Sequence, residues 1–496
     1  MDKWLMFSWV VFALTVCLMI YLGFRAKKVT EGSADGFLVA GRTLGPFVGT
    51  CAVVGTGYSG WCFMGAPGVA YAYGPIELLF NFGFAVSITA AIMFFAGRLR
   101  NLAGEMGSTT IPEYISQSHA HSSGMHWLLQ GTTGLLTAIF LLVFLVGQIK
   151  AVGLLTSQWL AIPDWVASTL VIAIIVFYTA FGGLAAVAWT DTIMVIGMVI
   201  ACLYCCFVIF TDISPIDLVN NLRDSVQNYI AADTAAPYGD AKFTAYLSIP
   251  YAFFFAAVLP YMAMRFLGFK KGVKLHVMGL YSAILCIILS LIPVVGMYVK
   301  YKMPGLELPD NATPVFLANF VPPFAASVIT VFILFAMQST ANGLLHTLSS
   351  AAMHDVRIAV TKDKPITMEK ALSFNRAGVI IFGIAGMLFT YVAPSYFLNF
   401  FSILGTGTLQ AILIGPVFVG SFWRGNAYGC LAAMLGGGVT AAYTLLATDM
   451  GWVLGPLLGD VVAVVLYIVV SKMTSGAYAP VQRKNIAGVS GDEVTS

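Results

Sequence analysis

Apolar runs long enough to cross a bilayer recur from one end of the chain to the other, separated by short polar stretches that hold most of its charge. A membrane helix needs about 20 mainly apolar residues. That rule places spans at 4–24, 43–73, 76–96, 127–157, 165–181, 190–211, 244–264, 275–299, 317–352, 375–393, 396–421, 427–446 and 452–471. The pattern predicts an all-α polytopic membrane protein with about 13 transmembrane helices. The run 4–24 is too long for a signal peptide, lacks a small-residue cleavage site and is followed by Arg25, Lys27 and Lys28, so it reads as a retained helix.

Two of the runs contain helix breakers at mid-depth. "GTGYSGWCFMGAPG" (55–68) puts five glycines and a proline in the second span, and "SIPYAFFFAAVLP" puts Pro250 and Pro260 in the seventh. Spans two to six and seven to eleven are sets of five, so they insert in opposite senses, and each opens on an interrupted helix. This is the pattern of a five-plus-five inverted repeat, 43–211 and 244–421, with one extra helix before it and two after. Small and breaking residues are common in membrane helices generally, so the hydropathy suggests the symmetry without proving it.

Composition narrows the class. Of 496 residues 59% are hydrophobic and 9% charged, against about a quarter charged in soluble domains. No stretch is long enough for a separate soluble domain, so 1–496 reads as a single membrane transport domain, and the polar tail 473–496 is too short for a catalytic or signalling module. The six His are scattered without an HExxH motif, which argues against an enzyme. Eight Cys lie in apolar runs such as "CLYCC" and behave as small hydrophobes. The expected partners are a solute, an ion and lipid, with no nucleic acid and no obligate protein partner.

The placement of charge says more than the net +3. With the amino terminus outside, about 19 of the 25 Lys and Arg, among them Arg98, Arg100, Arg265, Lys270, Lys271, Lys274, Arg357 and Lys362, fall on the inner side. An odd number of spans puts the carboxyl terminus in the cytoplasm, as expected for a multi-pass protein of a bacterial inner membrane. The long outer loop 212–243 carries Asp212, Asp217, Asp224, Asp233 and Asp240 and is expected to cap the surface.

Broken backbone at membrane depth is tolerated only where protein or a wet cavity satisfies it. An unwound turn supplies carbonyl oxygens to a hard cation at no charge cost, and Gly55 and Tyr58 are placed to offer them. In "FAMQSTANG" (335–343), Ser339 and Thr340 sit deep in an apolar helix, one turn after Ala336. Either the two hydroxyls complete a cation cage, or they bond back to the carbonyl four residues earlier.

"GRTLGPFVGTCAVVGTGYSGWCFMGAPG" (41–68), "YTAFGGLAAVAWTDT" (178–192) and the Ser339–Thr340 pair resemble the sodium:solute symporter family, whose members carry proline, pantothenate, sugars or sialic acid. The resemblance implies the leucine-transporter fold. It also implies a sodium site on the backbone oxygens of Gly55, Tyr58 and Ala336 and the hydroxyls of Ser339 and Thr340, with Asp191 on the sodium exit path. Gly57 stands where the proline carriers have an Asp, and Asn342 and Gly343 stand where some relatives have the hydroxyls of a second site. One sodium per cycle is therefore expected, and Ala252 and Ala256 at the carriers' aromatic positions argue against proline.

For the solute, Lys150 in the fourth span either binds a substrate carboxylate or snorkels to the outer interface. Glu77, opening the third span, contacts solute, pairs with Lys150 or sits in the interface. Gln338, Asn342 and His346 form one polar face of the ninth span, with Gln338 the pocket candidate. Trp61 and Tyr251 are further candidates, each beside a broken helix, and "GTGTLQ" (405–410) has either the flexibility of an outer gate or the small residues of close packing. The expected function is sodium-coupled import of a small organic solute, a carboxylate or amino-acid-like compound, by alternating access. The alternatives are a sodium-independent, proton-coupled or exchanging transporter of the same fold, and a membrane sensor.

Overall fold

The computed structural model describes residues 3–30, 38–225, 229, 241–364, 366–392 and 398–474, leaving the tail and most of loop 226–240 outside the described residues. The main helices are α1 (Lys3–Thr30), α2 (Pro46–Gly57), α3 (Ala66–Tyr73), α4 (Ile76–Met106), α5 (Ser123–Leu160), α6 (Asp164–Asp212) and α7 (Ala241–Val258). They continue with α8 (Pro260–Leu267), α9 (Leu275–Lys302), α10 (Pro323–Thr361), α11 (Met368–Val392), α12 (Leu398–Phe422), α13 (Ala427–Ala447) and α14 (Leu454–Thr474). A backbone in hydrocarbon must satisfy its own polar groups, which is why the apolar runs fold as helices throughout.

Among the described residues, ten helices are long and apolar enough to cross a bilayer, and α7 with α8, bent by 58° at a short break, make an eleventh. The expected count of 13 is not reached by this measure, for two reasons. The second expected span is divided into α2 and α3, each too short to cross alone. The fifth and sixth run on in one helix, α6, in which Val187–Asp212 is long enough to cross and Asp164–Ala180 falls just short of that length. In the seventh span, Pro250 lies inside α7 without ending it, and the break falls at Leu259 (ψ 127°), just before Pro260.

The core gathers around the two broken helices. α2 packs on α6, α8, α9 and α10, while α7 packs on α4 and α12, and α1 lies outside against α6. Leu14, Phe94, Phe207, Leu388 and Val439 point away from the bundle, as side chains facing lipid tails do. The two halves are stitched where Leu44 N donates to the Gly268 carbonyl (3.0 Å) and Lys270 N to the Leu44 carbonyl (2.9 Å). Gly296 in α9 is a point of closest approach, because a Cβ there would run into the carbonyl of Pro67. Of the loop expected to cap the outer surface, a helix at Pro215–Ser225 is described, with Leu218 and Leu222 buried.

Candidate functional site

The break after α2 can be followed one backbone group at a time. Helical bonding fails where Tyr58 turns to an extended conformation (φ −90°, ψ 111°). The amide of Gly60, which would bond the Thr56 carbonyl in a continuous helix, donates instead to Gln148 Oε1 of α5 (2.9 Å). The Gly57 carbonyl accepts the Trp61 indole N–H (2.9 Å), and the Cys62 and Phe63 amides both turn to the Ser59 carbonyl. The carbonyls of Gly55, Thr56 and Tyr58 are thereby released from the helical ladder. A π-helical turn, Trp61–Gly65, then leads into α3.

Two of these released carbonyls meet α10. Ser339 Oγ donates to the Gly55 carbonyl (2.8 Å) and lies 3.0 Å from that of Ala336. Thr340 Oγ1 lies 3.4 Å from Gly55 O, 3.2 Å from Thr56 O and 3.4 Å from Ala336 O. One hydroxyl proton cannot serve three acceptors, and these distances exceed the usual O–H···O separation of about 2.7–2.8 Å. They do match the spacing of oxygens around a hard cation: ligands at about 2.4 Å in an octahedral array stand about 3.4 Å apart. All five oxygens are neutral and buried. Thr56 was not among the expected ligands. Tyr58 contributes an extended carbonyl beside the group, while its hydroxyl is engaged away from it, with Ser290 (3.0 Å) and the Cys286 carbonyl (3.1 Å).

Asp191 lies behind this group on α6, where a Cβ on Gly55 would come within 3.5 Å of its own Cβ. Its carboxylate is 3.6 Å from the guanidinium of Arg265, and both side chains are at most 1% exposed. Arg265 Nε also donates to Thr56 Oγ1 (3.1 Å). Arg265, one of the basic residues expected on the inner side, is buried in the core, six residues after Leu259, where the 58° bend that precedes α8 begins.

Beside the break, a small cavity of about 20 Å³ is walled by Trp61, Phe80, Phe84, Phe144, Tyr251 and Phe255, with Asn399, Ser402, Ile403 and Thr406 of α12 completing it. The rings interlock, with Trp61 4.9 Å from Phe84 edge-on and Phe84 5.1 Å from Phe255. Asn399 Oδ1 is buried without a hydrogen-bond partner and packs against Gly65 of the π-helical turn. Of the five solute candidates from the sequence, Trp61 and Tyr251 form this wall and three lie elsewhere. Lys150 lines a separate outer cavity of about 560 Å³ with Asp164, Glu307 and Asp310, its ammonium 5.1 Å from the Phe401 ring centre. Glu77 is buried against Asn81 (2.8 Å); the backbone carbonyl of Gln338 accepts the Tyr178 hydroxyl (3.3 Å), and its side-chain Oε1 is buried without a hydrogen-bond partner. The residues missed were Gln148, Arg265 and Asn399, each a polar side chain in an apolar run.

The profile of the sodium:solute symporter family matches residues 37–437. The chain is 25% identical over 467 residues to the osmoregulated proline transporter of Bacillus subtilis (strain 168), covering 92% of each, and 26% identical over 464 residues to the sodium/pantothenate symporter of Escherichia coli (strain K12), covering 88% of this chain and 90% of that one. Its fold matches a substrate-bound, outward-open sodium-coupled sialic acid symporter with a TM-score of 0.76, at 17% identity over 96% of this chain and 99% of the other. A nucleobase-cation-symport-1 family transporter in a closed conformation matches with a TM-score of 0.57, at 14% identity over 90% and 96%. The chain is thus a multi-pass membrane transporter, not an enzyme, and it belongs to the sodium:solute symporter family.

Proposed function

We propose that this protein imports a small organic solute together with one sodium ion, the ion bound by the carbonyls of Gly55, Tyr58 and Ala336 and the hydroxyls of Ser339 and Thr340, with the Thr56 carbonyl as a further ligand. The observation that carries this reading is the position of Thr340 Oγ1, 3.2–3.4 Å from three carbonyls on two helices. Sodium joined there ties α2 to α10 and fixes the geometry of the break. The wall residue Trp61 hangs from that break through Gly57, so ion and solute each favour the other's site. A coupling of about 1–3 kcal/mol is typical of such reciprocal linkage. When the inner halves of the broken helices part, Asp191 offers the released ion a carboxylate on its way in, with the amino terminus outside and the carboxyl terminus in the cytoplasm.

The solute rests against Trp61 and Tyr251, with Asn399 accepting a hydrogen bond from it. The expectation of a carboxylate rested on Lys150 reaching the pocket. With Lys150 in the outer cavity and no charged side chain among the described wall residues, the wall favours a compact, largely apolar solute that carries a donor. Glu77 and Gln338 are not among the wall residues.

The test is thermal unfolding of the purified protein with a panel of amino acids, carboxylates, pantothenate, amines and sugars, in sodium chloride and in choline chloride. A ligand of the folded state raises the midpoint by mass action. The reading expects a solute whose shift requires sodium and whose uptake into proteoliposomes follows a sodium gradient. Uptake equal in choline would overturn it.

A further inference from the structure

The last helix carries an acid that the sodium reading leaves unused. Asp460 lies in the outer half of α14, 3% exposed, and turns towards α12 and α7. Its Oδ2 accepts the Gln410 side-chain amide of α12 (2.7 Å), while its Oδ1 and the Gln410 Oε1 are buried with no partner. Gly437 of α13 and Gly459 of α14 bring those helices and Ala411 of α12 close together beside Asp460: a Cβ on Gly437 would stand 2.6 Å from the Ala411 carbonyl.

Among the described residues, no cation faces this carboxyl. α12 and the π-helical turn Ile414–Val419 within it carry no titratable side chain; α13 contributes only Tyr428, Cys430 and Tyr443; α7 contributes Tyr246 and Tyr251, and its lysine, Lys242, is more than two turns from Tyr251. On α14 itself, Tyr467 and Lys472 lie further along the helix. A carboxylate held by one amide in hydrocarbon, with no counter-charge, is strongly disfavoured against the neutral acid. The neutral acid has a use for its proton, since an unpaired Oε1 acceptor sits on the same Gln410.

The acid lies one layer behind the wall of the solute cavity. Tyr251 is within electrostatic reach of Asp460, and its hydroxyl approaches Gly407, which packs on Pro456 one turn before the acid. Tyr251 and Thr406 belong to the cavity wall. We propose that Asp460 is a proton-binding site that holds α12 against α14 and Tyr251 while the cavity is closed, and that it releases its proton to water as α12 moves away and the cavity opens. The proton site stands on its own geometry; only its consequence for transport rests on reading the aromatic-walled cavity as the solute site.

Two measurements on the full chain in liposomes separate these parts. Infrared spectra of the wild type and Asp460→Asn should differ by the carbonyl stretch of one protonated carboxylic acid. Labelling of Ser402→Cys by a membrane-impermeant maleimide, corrected for the wild-type cysteines, rises with pH in every background because the thiolate is the reactive form, so the readout is the ratio of the rate at about pH 9 to that at about pH 6. That ratio should be several-fold larger in S402C than in S402C/D460N, and the excess should return in S402C/D460E. No difference band means that Asp460 is ionised and overturns the proposal. A band with the same labelling profile in all three backgrounds overturns its coupling to the cavity, and neither result touches the sodium assignment.

Discussion

The guanidinium of Arg265 stands 3.6 Å from the carboxylate of Asp191, both within the core, and the same arginine donates to Thr56 next to the carbonyls that face Ser339 and Thr340. Removing one member of such a pair strands the other, which typically costs about 3–5 kcal/mol, whereas removing both costs less. Asp191→Asn and Arg265→Gln should each lower the thermal midpoint markedly, and the double variant should be more stable than the sum of the two predicts. Additive effects in this cycle would show that the two groups do not interact.

Gln148 and Trp61 satisfy backbone groups that the break sets free. Gln148→Leu leaves the Gly60 amide without its acceptor, a loss of about 1–3 kcal/mol for a buried group. Trp61→Phe keeps a ring in the wall but removes the indole donor to Gly57. Both should weaken sodium-dependent stabilisation more than stability without sodium; equal losses in the two conditions would separate these residues from the ion.

How legible the site was depends on what each residue needs in order to be seen. Ser339 and Thr340 stood out because adjacent hydroxyls are anomalous in an apolar helix, and Gly55 because breakers are anomalous at that depth. Lys150 and Gln148 are two residues apart, about 200° around one helix, so one faces the outer cavity while the other caps the break, and hydropathy does not fix that rotation. Arg265 was hidden by its neighbours Lys270, Lys271 and Lys274, whose charge made it look like part of the inner surface. Asp460 was overlooked because helices after a repeat read as additions, and only their packing shows that one of them lies against α12 and α7, which wall the cavity. The broken helices were located from sequence, but Pro250 was the wrong breaker, because a proline in a packed membrane helix is tolerated when its neighbours satisfy the freed carbonyl.

Asp310 predicts a pH dependence at the outer face. Its Oδ2 accepts the amide of Leu398 at the start of α12 (3.0 Å), so it ties the segment before Ala312–Phe320 to that helix. Burial raises its pKa from 3.8 to about 7, with the Leu398 amide opposing the shift in part. A raised value means that the closed arrangement holds the proton more tightly than an opened, hydrated one. Its contribution to closure is complete below about 3.8, declines above that, and is lost as the pH rises through about 7. Spin labels on Glu307 and Phe400 should therefore report a wider separation at alkaline pH, and Asp310→Asn should flatten the profile. A separation that widens on acidification would contradict the sign.

Gly55 and Gly296 make a contrasting pair. A Cβ on Gly55 would meet the flexible end of Val195 at 2.9 Å and stand 3.5 Å from Asp191, so Gly55→Ala should fold but displace the carbonyl and weaken sodium binding. A Cβ on Gly296 would meet the rigid backbone of Pro67, so Gly296→Ala should unfold the protein at far lower temperature in any salt. The check is a comparison of thermal midpoints in sodium and choline chloride.

The central claim is that sodium sits between Gly55 and the Ser339–Thr340 pair, and sodium titration of the unfolding midpoint tests it most directly. The wild type should gain stability with sodium as RT ln(1 + [Na⁺]/Kd) and gain nothing from choline. Ser339→Ala/Thr340→Ala should stay folded and lose that gain. An equal rise with sodium in the double variant would contradict the account.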